Sequence, residues 1–165
     1  MARLSTHERF LSLLDEHKKI VFKVASSYCR DAEDRRDLTQ EILAQLWRSF
    51  PRFDERQRFS TWMYRVAMNV AISFFRSETR RARHTVSVEE SALEVIAVEA
   101  GDSDDIRLLR AFIDKLDPLN KALIILYLDG NDHETIAEVL GISATNVATK
   151  IGRIKQKLRR DFERT

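Results

Sequence analysis

A chain of 165 residues suffices for one domain or two small ones, and 44% hydrophobic and 33% charged residues with a net charge of +2 exclude a disordered protein. Only four Gly and two Pro predict a chain built mainly of helices, and the single cysteine, Cys29, excludes an internal disulfide and a cysteine-rich zinc site. No apolar run approaches the roughly 18 residues of a membrane span, and the N-terminus lacks the apolar core of a signal peptide, so we expect a cytoplasmic protein without membrane insertion.

Two helical patterns open the chain. Ser5 followed by Glu8 is a capping-box pattern, and it starts an apolar stripe over residues 5–30 that predicts one long helix or two. A polar break, RDAED, separates this stripe from a further helix predicted over residues 37–49. Its predicted inner side carries Leu38, Ile42, Leu46 and Trp47. Its polar side carries Asp37, Gln40, Glu41, Gln45 and Arg48.

Pro51 ends that helix, and the charged segment FPRFDERQRFS is predicted to be a loop. Ser60 or Thr61 is the predicted cap of the next helix, which runs from residue 61 to about residue 83. Apolar or aromatic side chains point in nearly every direction around it. We assign one stripe with a spacing of four to the domain core: Trp62, Val66, Val70 and Phe74. We assign the remaining face to an unpaired nucleic-acid strand: Tyr64, Arg65, Met68, Asn69, Ile72, Phe75 and Arg76.

Charge divides the chain into three segments. Residues 1–85 contain 17 basic and 11 acidic side chains, residues 86–105 contain seven acidic and no basic ones, and residues 106–165 contain 11 basic and 8 acidic ones. We therefore predict two basic helical domains, residues 1–85 and 105–165, joined by an acidic linker at residues 86–104.

The second domain begins with two predicted helices. An apolar stripe starts near Ser103 and ends at Asp117, which caps the next helix with Pro118 in its first position. This second helix is very apolar and ends at Asp129 and Gly130.

The rest of the domain has the pattern of a helix-turn-helix. Asn131 with Glu134 is predicted to open a short helix, Ala137 is small where a second helix crosses, and Gly141 suits the turn. Ser143 is the predicted cap of the second helix. The predicted inward stripe of that helix is Val147, Ile151, Ile154 and Leu158. Its outer face carries Thr145, Asn146, Thr149, Lys150 and Arg153, with Lys157 and Arg160 further along. Such a face is typical of major-groove binding, and the alternative is a solvated basic face.

In this order the segments resemble the extracytoplasmic-function group of bacterial sigma factors, small members of the sigma-70 family. DLTQEILAQLW is similar to the core-polymerase-binding helix, and FSTWMYRVAMNVAISFFR to the promoter-melting and minus-ten segment. The segment LDPLNKALIILYLDGNDHETIAEVLGISATNVATKIGRIKQKL is similar to the minus-thirty-five domain. The resemblance implies an all-α protein with a region 2-like helical bundle and a region 4-like helix-turn-helix domain.

The resemblance also implies the roles of individual residues. Those implied to bind core polymerase are Asp37, Gln40, Glu41, Gln45 and Arg48. Those implied to bind minus-ten DNA are Arg52, Phe53, Asp54, Arg56, Arg58, Phe59, Ser60, Thr61, Tyr64, Arg65, Asn69 and Arg76. Those implied to bind minus-thirty-five DNA are Ser143, Thr145, Asn146, Thr149, Lys150 and Arg153. An extruded minus-ten base is expected to bind in the loop RFDERQRFST.

As partners, the resemblance implies core RNA polymerase, through the clamp helices of its largest subunit and the flap of the second largest, promoter DNA in duplex and single-stranded form, and an anti-sigma factor. The implied function is promoter-specific initiation at a stress or envelope-signal regulon. The linker would thread the RNA exit path or serve as a plain tether. We expect no enzyme, cofactor or metal site, because the four histidines are scattered. The alternative function is a stand-alone helix-turn-helix repressor or activator, which would bind duplex DNA tightly by itself.

Overall fold

The computed structural model of the chain describes residues 3–84 and 103–164, with the backbone alone for residues 78–84. The predicted linker therefore lies outside the described residues, apart from Ser103 and Asp104. Every regular element in the described ranges is a helix, which confirms the predicted all-α class. None of these helices combines the length and the apolar character that crossing a membrane demands. The chain divides into two compact units, Met1–Phe75 and Arg76–Thr165.

The first unit begins with a single long helix, α1 (Thr6–Tyr28). Its predicted capping box is confirmed, because the Glu8 backbone N–H donates to Ser5 Oγ at 3.2 Å and the Ser5 N–H donates to Glu8 Oε2 at 2.8 Å. Both bonds satisfy N–H groups that have no partner within the helix.

The second helix, α2 (Ala32–Ser49), starts five residues earlier than predicted. The segment expected to be a polar break instead contains the N-cap, Asp31, whose Oδ2 accepts the backbone N–H groups of Glu33 and Asp34 at 3.1 Å each. Acidic residues in a first turn also suit the positive end of the helix dipole. The charged string thus separates α1 from α2 as predicted, but only with Arg30 and Asp31, and its last three residues form the first turn of α2.

A short 3-10 helix (Phe50–Arg52) follows α2, and a loop then leads to α3 (Phe59–His84). Neither Ser60 nor Thr61 caps α3, because the first helical bond runs from the Trp62 N–H to the Arg58 carbonyl at 3.1 Å. The helix begins instead with Phe59, which is buried. The ring of Phe59 is thus packed inside the unit at the start of α3.

The buried face of α3 differs from the predicted one. Of the predicted core stripe only Trp62 is buried, and Val66, Val70 and Phe74 are half-buried. The side chains of α3 that are buried with it are Phe59, Thr61, Met63, Tyr64, Ala67, Met68 and Ala71. A spacing of four occurs on more than one face of a helix that is apolar all round, so periodicity does not identify the inner face.

Trp47 of α2 was also predicted to face the core, and it is 43% exposed. Its ring lies on the surface against Phe10 and His7, with centroid distances of 5.1 and 5.3 Å. The predicted inner residues Leu38, Ile42 and Leu46 are completely buried, as expected.

The second unit contains α4 (Asp104–Asp114), α5 (Pro118–Leu128), α6 (His133–Leu140) and α7 (Ala144–Glu163). Asp117 and Ser143 cap helices as predicted, and Ser103, near which the apolar stripe was expected to start, is the N-cap of α4. The predicted opening of α6 by Asn131 is wrong, because Asp132 is the N-cap and accepts the Thr135 N–H at 2.8 Å. The Asn131 amide instead donates to the Leu126 carbonyl at 2.9 Å and stabilises the end of α5.

The helix-turn-helix pattern is confirmed at its turn. Gly141 has φ 70° and ψ 32°, a left-handed conformation that costs a residue with a Cβ about 1–2 kcal/mol. Its N–H and that of Ile142 both donate to the Ala137 carbonyl, at 2.9 and 3.2 Å. The inward stripe of α7 is buried at Val147, Ile151 and Ile154 and half-buried at Leu158.

Candidate polymerase and nucleic-acid interfaces

The polar face of α2 is on the surface, opposite the buried apolar stripe. Asp37, Gln40, Glu41 and Arg48 are exposed, and Gln45 is half-buried with its Nε2 donating to Ser49 Oγ at 3.2 Å. These five side chains therefore share one accessible surface, as predicted. That this surface binds core polymerase stays a prediction.

The loop between the 3-10 helix and α3 is organised by one carboxylate. Asp54 Oδ1 accepts the Arg56 backbone N–H at 3.0 Å and its Nε at 3.1 Å, while Oδ2 accepts Nη2 at 2.9 Å. The Gln57 N–H donates to the Asp54 carbonyl at 2.9 Å and closes the turn. The Arg56 side chain and then its backbone N–H hold the pKa of Asp54 below its usual value. Sequence reasoning missed this pairing, for which the only signal is the spacing of an acid and an arginine within a turn.

Aromatic rings support the loop from beneath. Phe53 lies 5.1 Å from Trp62 and 5.4 Å from Phe59, and it stacks on Phe50 with a centroid distance of 6.1 Å. An ion pair between Arg9 and Glu55 joins the loop to α1. Arg58 is exposed on this supported loop, and Arg52 is exposed at the end of the 3-10 helix before it.

Four predicted strand-contacting side chains of α3 are buried instead: Phe59, Thr61, Tyr64 and Met68 are 7%, 6%, 3% and 1% exposed. These rings and chains pack within the unit, so they are not available to stack on bases. The exposed part of the helix carries Asn69 and Arg76, with Ser60, Arg65 and Ile72 half-buried. Arg65, Asn69 and Arg76 follow the helical period and lie on one face.

The outer face of α7 is accessible as predicted. Thr145, Asn146, Thr149 and Arg153 are exposed, and Lys150 is half-exposed. Ser143 Oγ is engaged in capping, since it accepts the Asn146 N–H at 3.0 Å. Thr149 Oγ1 donates to the Thr145 carbonyl at 3.0 Å. Polar side chains and cations are thus accessible together in the first turns of a helix that follows a tight turn.

The chain matches two family models in succession. Residues 13–81 match sigma-70 region 2, and residues 106–158 match sigma-70 region 4, together more than half of the chain. The chain belongs to the sigma-70 family.

Relatives of this sigma factor belong to the extracytoplasmic-function group, as does this chain. RNA polymerase sigma factor SigV of Bacillus subtilis is 23% identical over 94% of the chain and 92% of its own length. The extracytoplasmic-function RNA polymerase sigma factor SigE of Mycolicibacterium smegmatis is 27% identical over 89% of the chain, which spans 59% of that protein. This chain is accordingly an RNA polymerase sigma factor.

Two solved structures share the fold of this sigma factor. The sigma factor RpoE of Bartonella quintana, crystallised with the anti-sigma factor NepR, matches with a TM-score of 0.73 at 18% identity, over 95% of this chain and 96% of RpoE. CnrH in complex with the cytosolic domain of CnrY matches with a TM-score of 0.65 at 21% identity, over 93% of this chain and 87% of CnrH.

Proposed function

We propose that this sigma factor directs core RNA polymerase to a promoter of two elements. The observation that carries the proposal is the order of the two family regions in one chain, each with a polar face outward. The helix-turn-helix domain docks on duplex minus-thirty-five DNA, and the first domain captures an unpaired minus-ten base.

Core polymerase binds the polar face of α2, through the clamp helices of its largest subunit. Carboxylates and amides on Asp37, Gln40 and Glu41 suit docking on a basic coiled coil. The region 4-like domain binds the flap of the second-largest subunit. We keep the domain bounds 1–85 and 105–165, with residues 86–104 as the acidic linker between them.

Minus-ten DNA binds the loop and the exposed face of α3. Three exposed arginines pair with phosphates: Arg52 at the end of the 3-10 helix, and Arg56 and Arg58 on the loop. A loop can enclose an extruded base as a helix surface cannot. Asn69 and Arg76 contact the unpaired strand from α3. The supporting observation is that these side chains are exposed while the neighbouring rings are packed beneath them.

Minus-thirty-five DNA binds the first turns of α7. Thr145, Asn146 and Thr149 face base edges, and Lys150 and Arg153 pair with phosphates or guanines. Each of these side chains lies on the face opposite the buried stripe.

We further propose that an anti-sigma factor restrains this protein, since the similar RpoE structure contains one. The protein acts in the cytoplasm, performs no catalysis itself and serves a stress or envelope-signal regulon. Its role is to position polymerase, so no cofactor is required.

Run-off transcription with purified core polymerase tests the function. Genomic templates selected by mapping start sites after overexpression should give discrete transcripts only when the sigma factor and core polymerase are both present. Core polymerase alone and a chain with Asp37, Gln40 and Glu41 replaced by Lys are the controls. Tight duplex binding without polymerase, together with no initiation in its presence, would instead indicate a stand-alone regulator.

A further inference from the structure

Helix α7 carries more positive charge than reading a short DNA element requires. Residues 144–160 contain six Lys or Arg and no Asp or Glu. Five cations follow one another at spacings of three and four, which places them in one row along the helix. The row is Lys150, Arg153, Lys157, Arg160 and Arg164, all exposed except the half-exposed Lys150. The two acids Asp161 and Glu163 come between Arg160 and Arg164, at the end of the row.

The length of α7 separates the two ends of this row. A helix of 20 residues is about 30 Å long, whereas the major groove is about 12 Å wide. Lys157 comes 12 residues after Thr145, which places it roughly 18 Å further along the axis. When the first turn contacts base edges, the distal row of Lys157, Arg160 and Arg164 is beyond those bases and next to phosphates.

Gly152 supplies an independent observation. It is exposed in the middle of α7, and a Cβ built on it would meet no atom within 4 Å. Glycine weakens a helix interior relative to alanine, so packing within the chain gives no reason for this residue. By the helical period, Gly152 and the cation row lie on either side of Thr145 and Thr149. A missing side chain there permits close approach of another backbone.

We propose that α7 lies between the two sugar-phosphate backbones of the DNA. The distal row binds phosphates flanking the minus-thirty-five element without reading sequence. The opposite backbone approaches the helix at Gly152. Duplex DNA is the occupant, because the cations from Lys150 to Arg160 follow one another with no acid between them and complement a regular polyanion. This inference rests on the proposed docking of α7 at the minus-thirty-five element.

Promoter binding by the reconstituted holoenzyme, measured against salt concentration, tests the distal row. K157Q/R160Q should reduce the slope of log affinity against log salt by about 2 and weaken binding equally on templates with an intact or a scrambled minus-thirty-five element. K155Q is the matched control, because Lys155 Nζ lies 2.7 Å from the Tyr127 hydroxyl on α5 rather than in the row. It should leave the slope unchanged.

Three outcomes would overturn the distal-row assignment. A wild-type slope for K157Q/R160Q means that the row is only solvated. If the variant loses affinity only for templates with an intact minus-thirty-five element, the distal row reads bases. If the variant no longer assembles with core polymerase, the distal row docks on protein. If wild-type holoenzyme initiates while K157Q/R160Q keeps the wild-type slope, the inference fails alone. If the wild type does not initiate, the proposed function itself fails.

G152A tests the close approach separately. Alanine should raise the melting temperature of the free protein by about 2–5 °C, because it favours the helix and meets no neighbour. The same substitution should weaken promoter binding by holoenzyme about fivefold or more, since a Cβ then lies between the helix and the DNA backbone. A raised melting temperature with unchanged promoter affinity would refute the approach at Gly152.

Discussion

Asp54 accepts bonds from both the backbone and the side chain of Arg56, so one carboxylate shapes the turn and orients a cation on it. The Arg56 side chain remains 91% exposed, and the pair lies on the loop proposed to enclose the minus-ten base. An exposed ion pair contributes little to folding stability, because water screens it. Its effect is instead on the charge that the loop offers to a DNA strand.

Asp54→Asn should therefore increase the affinity of holoenzyme for single-stranded DNA of any sequence. An amide oxygen can still accept the Arg56 backbone N–H, but it no longer neutralises the guanidinium. We expect the slope of log affinity against log salt to steepen by up to about 0.7, the contribution of one added phosphate contact on a single strand. Fluorescence anisotropy with minus-ten and scrambled oligonucleotides measures both quantities.

The matched control for that substitution is Asp54→Asn in an Arg56→Gln background. It should have no effect on the slope, since the side chain that Asp54 restrains is then uncharged. Weaker binding by Asp54→Asn alone would show that the carboxylate orients Arg56 toward the strand rather than restraining it.

At the scale of elements, α3 has one buried and one accessible face, although its sequence is apolar on all sides. Met63 and Ala67 are completely buried, whereas Val66 lies one residue away and is half-buried. Small Ala67 and Ala71 and flexible Met63 and Met68 make up much of the buried face. The accessible face, with Asn69 and Arg76, follows from this choice.

Met63→Ala and Val66→Ala test which face is inside. Met63→Ala should lower the free energy of unfolding by about 2–5 kcal/mol, because it leaves a cavity in the core. Val66→Ala removes fewer atoms from a half-exposed site and should cost about 1 kcal/mol or less. Urea titration followed by tryptophan fluorescence compares the two. If Val66→Ala lowers the free energy of unfolding as much as Met63→Ala or more, the core stripe predicted from spacing would be the correct inner face of α3.

The stability of the start of α1 should depend on pH. Hydrogen bonds from the Ser5 backbone N–H and hydroxyl group lower the pKa of Glu8 from its ordinary value of 4.5. A lowered folded-state pKa means that ionised Glu8 stabilises the fold fully above the ordinary pKa and loses this effect as the pH falls through the folded value. The capping box is thus a source of stability at neutral pH.

Glu8→Gln should accordingly lower the melting temperature at pH 7, and the difference from wild type should shrink as the pH falls below 4.5. Circular dichroism melting curves across this range provide the measurement. Glu16→Gln removes an acid from the middle of the same helix and controls for the loss of charge. A difference that stays constant with pH would exclude the carboxylate as its cause.

At the scale of the whole molecule, we propose that the three candidate surfaces assign different steps of initiation to the two units. The α2 face and the loop with α3 belong to the region 2 match, and the α7 face belongs to the region 4 match. Docking on duplex DNA and capture of an unpaired base are separate steps, so substitutions in the two units should affect different measurements.

Asn69→Ala and Lys150→Ala should show this division. Lys150→Ala should weaken duplex docking by holoenzyme and reduce its salt slope by about 1, while the opened fraction of bound complexes stays unchanged. Asn69→Ala should leave docking unchanged and reduce opening, measured by permanganate reactivity of unpaired thymines. Should both variants reduce docking alone, the assignment of opening to the first unit would be wrong.

Much of the fold follows from local chemistry that is visible in the sequence. The capping box at Ser5, the Asp117 cap with Pro118, and Gly141 at the turn were all predicted correctly, because each depends on a few neighbouring residues. The polar faces of α2 and α7 were predicted for the same reason, since each lies opposite a single apolar stripe.

Only the tertiary structure decided which way α3 faces. Its sequence is apolar on all sides, so Tyr64 and Thr61 were assigned to a DNA strand and are buried, while Val66 and Val70 were assigned to the core and are not. Which face of a helix is buried depends on the elements that pack against it, and the periodicity of one helix gives no information about those elements. The sequence by itself therefore determined the all-α class, the family and the caps at Ser5, Asp117 and Ser143. The packing of Phe50, Phe53, Phe59 and Trp62 around the loop determined which side chains stay exposed there.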